Sequence, residues 1–266
     1  MPSRWTIKEE KNKKKELVTL YVKENKTIFE TGKILGIKYQ TVYDRLKRLG
    51  IPTCPERKPK FRNFRTDIKI PNKYSGKLAE FVGILLGDGH ISNTQIVIYI
   101  NSLETPYIKY IEKLFKKLFG AASHKSHALS KRVREYHVTD IRLGSTELVR
   151  YFLKMGLVRN KTKSQIDIPA WINIKQKYQL AFLRGFFDTD GSVYKLKFGT
   201  QICYKNASIP LLKSTQKILT DFDYHPSQIS YRSLYLTRKK DLRRFFKEVG
   251  PANQKHLNRA KLFKVI

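Results

Sequence analysis

Phe81-Val-Gly-Ile-Leu-Leu-Gly-Asp88-Gly89 and Leu183-Arg-Gly-Phe-Phe-Asp-Thr-Asp190-Gly191 are one phrase written twice. Each is an apolar run with glycine at its third position, and each closes on an aspartate and a glycine. The flanking small residues recur in step: Ala79, Gly83 and Gly87 in the first copy, Ala181, Gly185 and Thr189 in the second. Spacing by four places each trio along one helical face. Small residues on such a face let two backbones approach closely. The pattern predicts two helices packed against each other through their small faces.

Asp88 and Asp190 then fall at the C-terminal ends of these helices, with Gly89 and Gly191 expected as left-handed caps. That end carries the negative pole of the helix dipole and disfavours a carboxylate by about 0.3–1 kcal/mol. One such acid would be an ordinary helix terminus. If the two helices run parallel, two carboxylates and two negative poles converge, and the arrangement calls for a cation. Hard oxygen ligands open to water suit Mg²⁺ better than a transition metal.

The 266 residues carry 54 Lys+Arg against 22 Asp+Glu, a formal net charge of +32. The basic residues recur from Lys8 to Lys264, so the field belongs to the whole surface and points to a polyanion, with nucleic acid ahead of membrane. No apolar run is long enough to span a bilayer and no signal peptide is legible, so no membrane partner is expected. The two cysteines, Cys54 and Cys203, sit in unrelated contexts without a disulfide framework or zinc spacing. An intracellular, reducing compartment is expected, and secretion is not. His124 and His127 lack partner ligands and read as a solvated loop.

The repeat extends past the motifs. A strand-like run follows each aspartate, over 95–101 and 194–206, and an amphipathic helix follows each strand, over 106–119 and 210–222. Tyr99-Ile100-Asn101 matches Tyr204-Lys205-Asn206. Leu148 to Gly156 matches Leu242 to Gly250, each preceded by an alternating strand at 137–143 and 230–236. The first copy carries the longer loops, expected around 121–137. Two copies at this scale make a pseudo-dimer in one chain. The boundaries read from the sequence are 77–164 for the first repeat and 165–266 for the second. Pro169 breaks the junction and Trp171 is expected in the core.

The first 50 residues differ. Helical segments are expected over 16–23, 27–37 and 38–50, with a capping box from Thr27 to Glu30. Gly36 marks the turn, and Val42, Leu46 and Leu49 form an apolar stripe, the helix-turn-helix pattern. The third segment would present Tyr39, Gln40, Thr41, Asp44, Arg45 and Arg48 to a major groove; a three-helix cap without groove contact is the alternative. Residues 51–76 form a basic linker with Phe61 and Phe64 interleaved, either tracking a DNA backbone or serving as a solvated tether.

The paired segments at 81–89 and 183–191 resemble the signature of the LAGLIDADG homing endonucleases in their single-chain, two-motif form. Phe182-Leu-Arg-Gly-Phe-Phe-Asp-Thr-Asp-Gly-Ser192 carries the resemblance most fully, and it covers roughly residue 77 to the C-terminus. The resemblance implies an α+β fold: a pseudo-twofold duplicated αββαββα core whose motif helices form the seam and whose strands saddle DNA, with the all-α helix-turn-helix domain as an addition. It implies that Asp88 and Asp190 bind divalent metal, with the backbone carbonyls of Gly87 and Thr189 as secondary contacts. Leu86 stands where the family often has an acid and is expected to pack.

Metal at the two acids would polarise scissile phosphates and activate water, with a polar side chain from the strand floor steadying charge. Asn101 and Lys205 are the candidates, with Asn206 and Lys195 in reserve; Lys205 as a plain surface charge is the alternative. Ile100 is taken as the counterpart of Lys205, which predicts unequal strand cuts. DNA reading falls to Lys131, Arg132, Arg134 and Arg142 in the first half and Lys195, Lys197, Arg232 and Tyr235 in the second, their strand register open. The expected function is a monomeric Mg²⁺-dependent homing endonuclease cutting double-stranded DNA at one long asymmetric site, as in intron homing. A non-cleaving transcription regulator of the same fold, or an RNA maturase acting on intron RNA, are the alternatives.

Overall fold

The computed structural model describes residues 7–24, 26–51, 53, 67–129, 137–159, 161 and 163–266. The chain divides into two compact units, Met1–Phe64 and Arg65–Ile266.

In the first unit, helix α1 (Ile7–Leu17) continues into a π-helical turn, Val18–Lys23. The helix therefore starts well before the expected residue 16: the Lys/Glu-rich stretch lacks an apolar stripe but is made of good helix formers. Helices α2 (Ile28–Leu35) and α3 (Tyr39–Arg48) follow. Thr27 and Glu30 form the reciprocal capping box, and Gly36 closes α2 at φ 65°. Leu17, Tyr21, Val42, Leu46 and Ile51 make the small core. A Cβ on Gly32 would lie 2.8 Å from the Ile37 carbonyl oxygen, so only glycine admits this tight turn. Along α3, Tyr39, Gln40, Asp44 and Arg48 are exposed, while Thr41 and Arg45 are half-buried.

The second unit holds both repeats around one continuous core. The first repeat runs α4 (Gly76–Gly87), β1 (Gly89–Ile91), β2 (Gln95–Asn101), α5 (Thr105–Phe119), β3 (His124–Leu129), β4 (His137–Gly144) and α6 (Thr146–Lys154). The second runs α7 (Gln176–Asp190), β5 (Gly191–Lys195), β6 (Thr200–Lys205), α8 (Ile209–Asp221), β7 (Ser233–Leu236), α9 (Lys239–Glu248) and a further helix α10 (Gln254–Leu262). The sheets order β1-β2-β4-β3 and β5-β6-β7, all antiparallel. The expected loop around 121–137 thus contains a strand, and His124 and His127 lie in it. Among the described residues the second sheet has one strand fewer than the first. Residues 224–230 run beside β7, with Ser227 N–H donating to the Tyr235 carbonyl at 2.8 Å, but Pro226 cannot donate to a ladder.

Helices α4 and α7 pack through the predicted faces. A Cβ on Gly185 would lie 2.0 Å from the Glu80 carbonyl oxygen, and one on Gly83 would lie 2.4 Å from that of Phe182. Gly89 and Gly191 are not left-handed caps. Gly191 has φ −89°, and neither glycine is among those with positive φ. They are required for space instead: a Cβ would meet the Leu85 side chain at 2.4 Å and the Phe187 carbonyl at 2.2 Å respectively. Leu86 is buried, as expected, and Trp171 lies in the core, stacked on Tyr74 at 4.3 Å.

Candidate active site

Close packing of α4 on α7 brings their C-terminal ends together. A Cβ on Gly87 would stand 2.0 Å from Thr189 Oγ1 and 3.4 Å from Asp190 Cγ. Asp88 is the residue that ends α4 and Asp190 the last of α7, so the two carboxylates share the seam. Asp88 is exposed at its outer edge and Asp190 half-buried, which leaves the pair open to ions and water.

The electrostatics record the crowding. Burial among protein atoms, and next the Asp190 carboxylate, push Asp88 up to about 7. Burial pushes Asp190 up to about 6, against the Asn206 amide and the Lys161 ammonium. The Asn206 side chain donates directly to Asp190 Oδ2 and accepts from Ser208 N–H at 2.7 Å, which fixes the amide's orientation. Among the described residues no cluster of three or more His, Cys, Asp or Glu side chains forms a metal cage. The donor set is a pair of hard carboxylates, Asp190 raising the proton affinity of Asp88, which suits an oxygen-seeking divalent cation with waters completing its shell.

Lys161 is the residue that sequence reasoning missed. Its ammonium donates to the carbonyls of Leu85 at 3.3 Å, Leu86 at 2.9 Å and Gly87, closing the last turn of α4. Burial lowers its pKa, and Asp190 and Asp88 raise it. The signal lay in the repeat: Lys161 follows Gly156 by five residues, as Lys255 follows Gly250. Lys255 lowers the Asp88 pKa and pairs with Glu104 at 2.9 Å. The end of α7 is closed by the matching segment, where Asn253 Nδ2 donates to the Asp188 carbonyl at 3.2 Å and His256 Nε2 lies 3.4 Å from it. Asp188 itself is buried and accepts the backbone N–H groups of Ala252 and Asn253 at 3.0 and 2.9 Å.

The expected secondary metal contacts come out differently from one another. Gly87 lies at the seam, but its carbonyl accepts from Lys161. Thr189 also lies there, its hydroxyl turned back to the Gly185 and Phe186 carbonyls.

Sheet register corrects the alignment of the halves. Gly89 pairs with Ile98, and Gly191 pairs with Tyr204. The counterpart of Tyr204 is therefore Ile98, that of Lys205 is Tyr99, and that of Asn206 is Ile100. Burial agrees, since Tyr99 and Lys205 are both exposed after three buried residues. The matching tyrosines misled because one strand had slipped by one residue, which reverses its faces. Asn101 is one step further on, its side chain accepting from Leu103 N–H at 2.9 Å rather than facing an acid.

On the outer face of the first sheet, Arg142 donates to Asp140 and Ser126, so the sheet itself occupies much of this cation. Lys205 and Tyr235 lie on the outer face of the second sheet, with Ser233 and Cys203 across from them. Lys195 alternates onto the opposite face at the end of β5, and Lys197 sits in the exposed β5–β6 loop, 5.4 Å from the Phe198 ring centroid. Arg232 is exposed in a turn before β7. Lys131, Arg132 and Arg134 lie outside the described residues.

A duplicated α+β scaffold with two helix-terminal aspartates at its seam defines a two-motif pseudo-dimer. Within it, residues 177–250 match the family model of the LAGLIDADG-like domain. The chain is 26% identical over 199 residues to the replication factor C small subunit of Methanocaldococcus jannaschii, covering 73% of this chain and 10% of that protein. It is 29% identical over 138 residues to the tRNA-splicing ligase RtcB of Pyrococcus furiosus, covering 48% of this chain and 14% of that one. The chain thus spans between 10% and 14% of the length of these curated relatives. Among solved structures, the homing endonuclease I-WcaI bound to its DNA recognition sequence aligns at 14% identity and TM-score 0.48, covering 68% of this chain and 85% of that one. The N-terminal LAGLIDADG domain of DUF199/WhiA aligns at 17% identity and TM-score 0.47, covering 66% and 81%.

Proposed function

We propose that this chain is a site-specific DNA endonuclease that hydrolyses both strands of a duplex, with Mg²⁺ held by Asp88 and Asp190. The observation that carries the reading is the convergence of those two carboxylates at the ends of helices packed too closely for a Cβ between them. When bound there, a divalent ion supplies charge neutralisation at a phosphate and a more acidic water. The protein's own groups do the rest. Asn206 orients Asp190 through its amide. Lys161, pinned by three carbonyls, presents a fixed positive charge beside both acids, suited to developing charge on a phosphate oxygen. The net charge of +32 supports the polyanionic substrate.

Two halves in one chain supply both acids, so the working form is a monomer. The halves present different outer faces, Tyr99 against Lys205 and Arg142 against Tyr235, so the target is long and asymmetric. The helix-turn-helix adds a further reading surface through Tyr39, Gln40 and Arg48.

A second reading, a DNA-binding regulator that does not cut, is favoured by one observation: Lys161 places a cation of the protein's own next to the acid pair. One experiment separates the two. Purified chain is incubated with a randomised duplex library in Mg²⁺ and in chelator. Linear double-strand products in Mg²⁺ alone, lost in the variant carrying Asp88→Asn and Asp190→Asn while binding survives, support the nuclease. Binding without cleavage under every divalent ion supports the regulator.

A further inference from the structure

We propose that Tyr231 and Arg232 form a rigid DNA-contact turn beside Asp190, in which the Tyr231 ring stacks on a base and Arg232 meets the adjoining phosphate. The proposal rests on the preceding reading only in taking duplex DNA as the partner.

The backbone makes the case first. Ser230 and Ser233 exchange both backbone hydrogen bonds, at 3.0 and 2.9 Å, so Tyr231 and Arg232 are the two central residues of a two-residue hairpin loop. Their φ values are 46° and 61°. Positive φ at both positions is the mark of a type I′ turn, whose favoured occupants are Asn and Gly. A bulky residue held there costs on the order of 1–3 kcal/mol. Nothing in the fold offsets that cost through the ring: Tyr231 is 96% exposed. A strained backbone that lifts an aromatic side chain wholly into solvent does not serve folding.

Its location points to the partner. The Arg232 carbonyl accepts from Asn206 N–H at 3.1 Å, and the Asn206 side chain donates to Asp190. Ser233, the next residue, pairs with Lys205. The turn therefore stands at the inner end of the second sheet, next to the acid pair. At the matching place in the first repeat the described strands continue, Ile100 opposite Thr139 and Asn101 opposite Val138.

Aromatic rings gain about 1–3 kcal/mol by stacking on a base, and an inserted side chain opens a base step. The opening is cheapest at pyrimidine–purine steps such as TpA. A ring held by a short hairpin gives up little freedom on binding, and an adjacent arginine fits a phosphate.

The test uses the full chain, in chelator, with a duplex carrying a fluorescent adenine analogue at TpA steps. Wild type is expected to brighten the probe, and Tyr231→Phe to do the same. The double change Tyr231→Asn with Arg232→Gly is expected to raise the thermal midpoint, abolish the brightening and weaken binding by about tenfold or more, for one missing stack and one missing phosphate contact. Because that variant relieves strain, weaker binding cannot be ascribed to unfolding. A double variant that is folded and both binds and brightens the probe like wild type overturns the proposal, and so does a lowered midpoint. None of these readouts requires cleavage, so a chain that binds but does not cut defeats the nuclease reading and leaves this one standing.

Discussion

The Lys161 ammonium donates to the Leu86 carbonyl at 2.9 Å, from a position 75 residues further along the chain. It closes the negative end of α4 two residues before Asp88, where a carboxylate and a helix pole would otherwise stand together. The second repeat answers with different chemistry at the same place, because Asn253 and His256 serve the Asp188 carbonyl. The pseudo-twofold preserves the task of capping while changing the residue that performs it, so among the described residues only the first half brings a fixed cation to its own helix end.

Lys161→Met should separate chemistry from binding. The change keeps the apolar stem and removes the charge beside both aspartates. Single-turnover cleavage in Mg²⁺ should fall by about 10²-fold or more, the range for loss of one preorganised stabilising group. Binding in chelator should stay within about twofold, since three backbone carbonyls already hold this ammonium and one lysine adds little to the affinity of so basic a chain. Cleavage at the wild-type rate would remove Lys161 from the active site.

Gly185→Ala should unfold the second unit more readily than any surface change. The new methyl would sit 2.0 Å from the Glu80 carbonyl oxygen, and backbone cannot give way as a side chain can. Overpacking of this kind costs about 1–3 kcal/mol, and more where two helices must part. Gly144→Ala is the control, since its Cβ would meet nothing within 4 Å. Urea unfolding of the two variants measures the difference, and equal midpoints would mean that α4 and α7 are not packed as described.

The parts of this molecule that the sequence made legible are those written locally and twice. Ala79, Gly83 and Gly87 against Ala181, Gly185 and Thr189 reveal a close helix pair because small residues every four places have one geometric use. Asp88 and Asp190 follow from that pair. Strand register was not legible: Tyr99 and Tyr204 look alike, but pairing from Gly89 and Gly191 makes Tyr204 the partner of Ile98. A one-residue slip leaves the text nearly unchanged and exchanges the two faces. Lys161 was hidden for a different reason. Its contacts are tertiary, and the only local clue was that Lys161 and Lys255 each follow a glycine by five residues. The crowding at Gly89 and Gly191 was hidden as well, since sequence shows that a glycine is present but not whether φ or space requires it.

Removal of the N-terminal unit, residues 1–64, should leave the second unit folded. The larger core begins at Ile68, and its buried residues all belong to the second unit. The main thermal midpoint is expected to hold. DNA affinity in chelator should fall, and the slope of log affinity against log salt should become shallower, by about one unit for each phosphate no longer neutralised. The cleavage rate at saturating protein should change far less than the affinity. An unaltered salt slope would show that α3 and its basic neighbours make no DNA contact.

The acid pair also predicts how stability depends on pH without metal. An ordinary aspartate titrates near 4, whereas Asp88 is pushed up to about 7 and Asp190 to about 6. Between those values the folded chain holds protons that the unfolded chain has released, so stability falls as pH rises through the window from about 4 to 7. Asp188, also raised to about 7, contributes with the same sign. His256, lowered to about 3, acts in the opposite direction, its contribution fading as pH falls below about 6.5. The thermal midpoint of the metal-free chain should therefore decline toward neutral pH, and less steeply once Asp88→Asn and Asp190→Asn remove two of the raised acids. Mg²⁺ binds the folded state with its carboxylates ionised, so added Mg²⁺ should raise the midpoint above pH about 7 and do little near pH 5. Scanning fluorimetry across pH, with and without Mg²⁺, reads all of this. A double variant with the wild-type slope and the wild-type response to Mg²⁺ would mean that the two aspartates neither couple nor hold the ion.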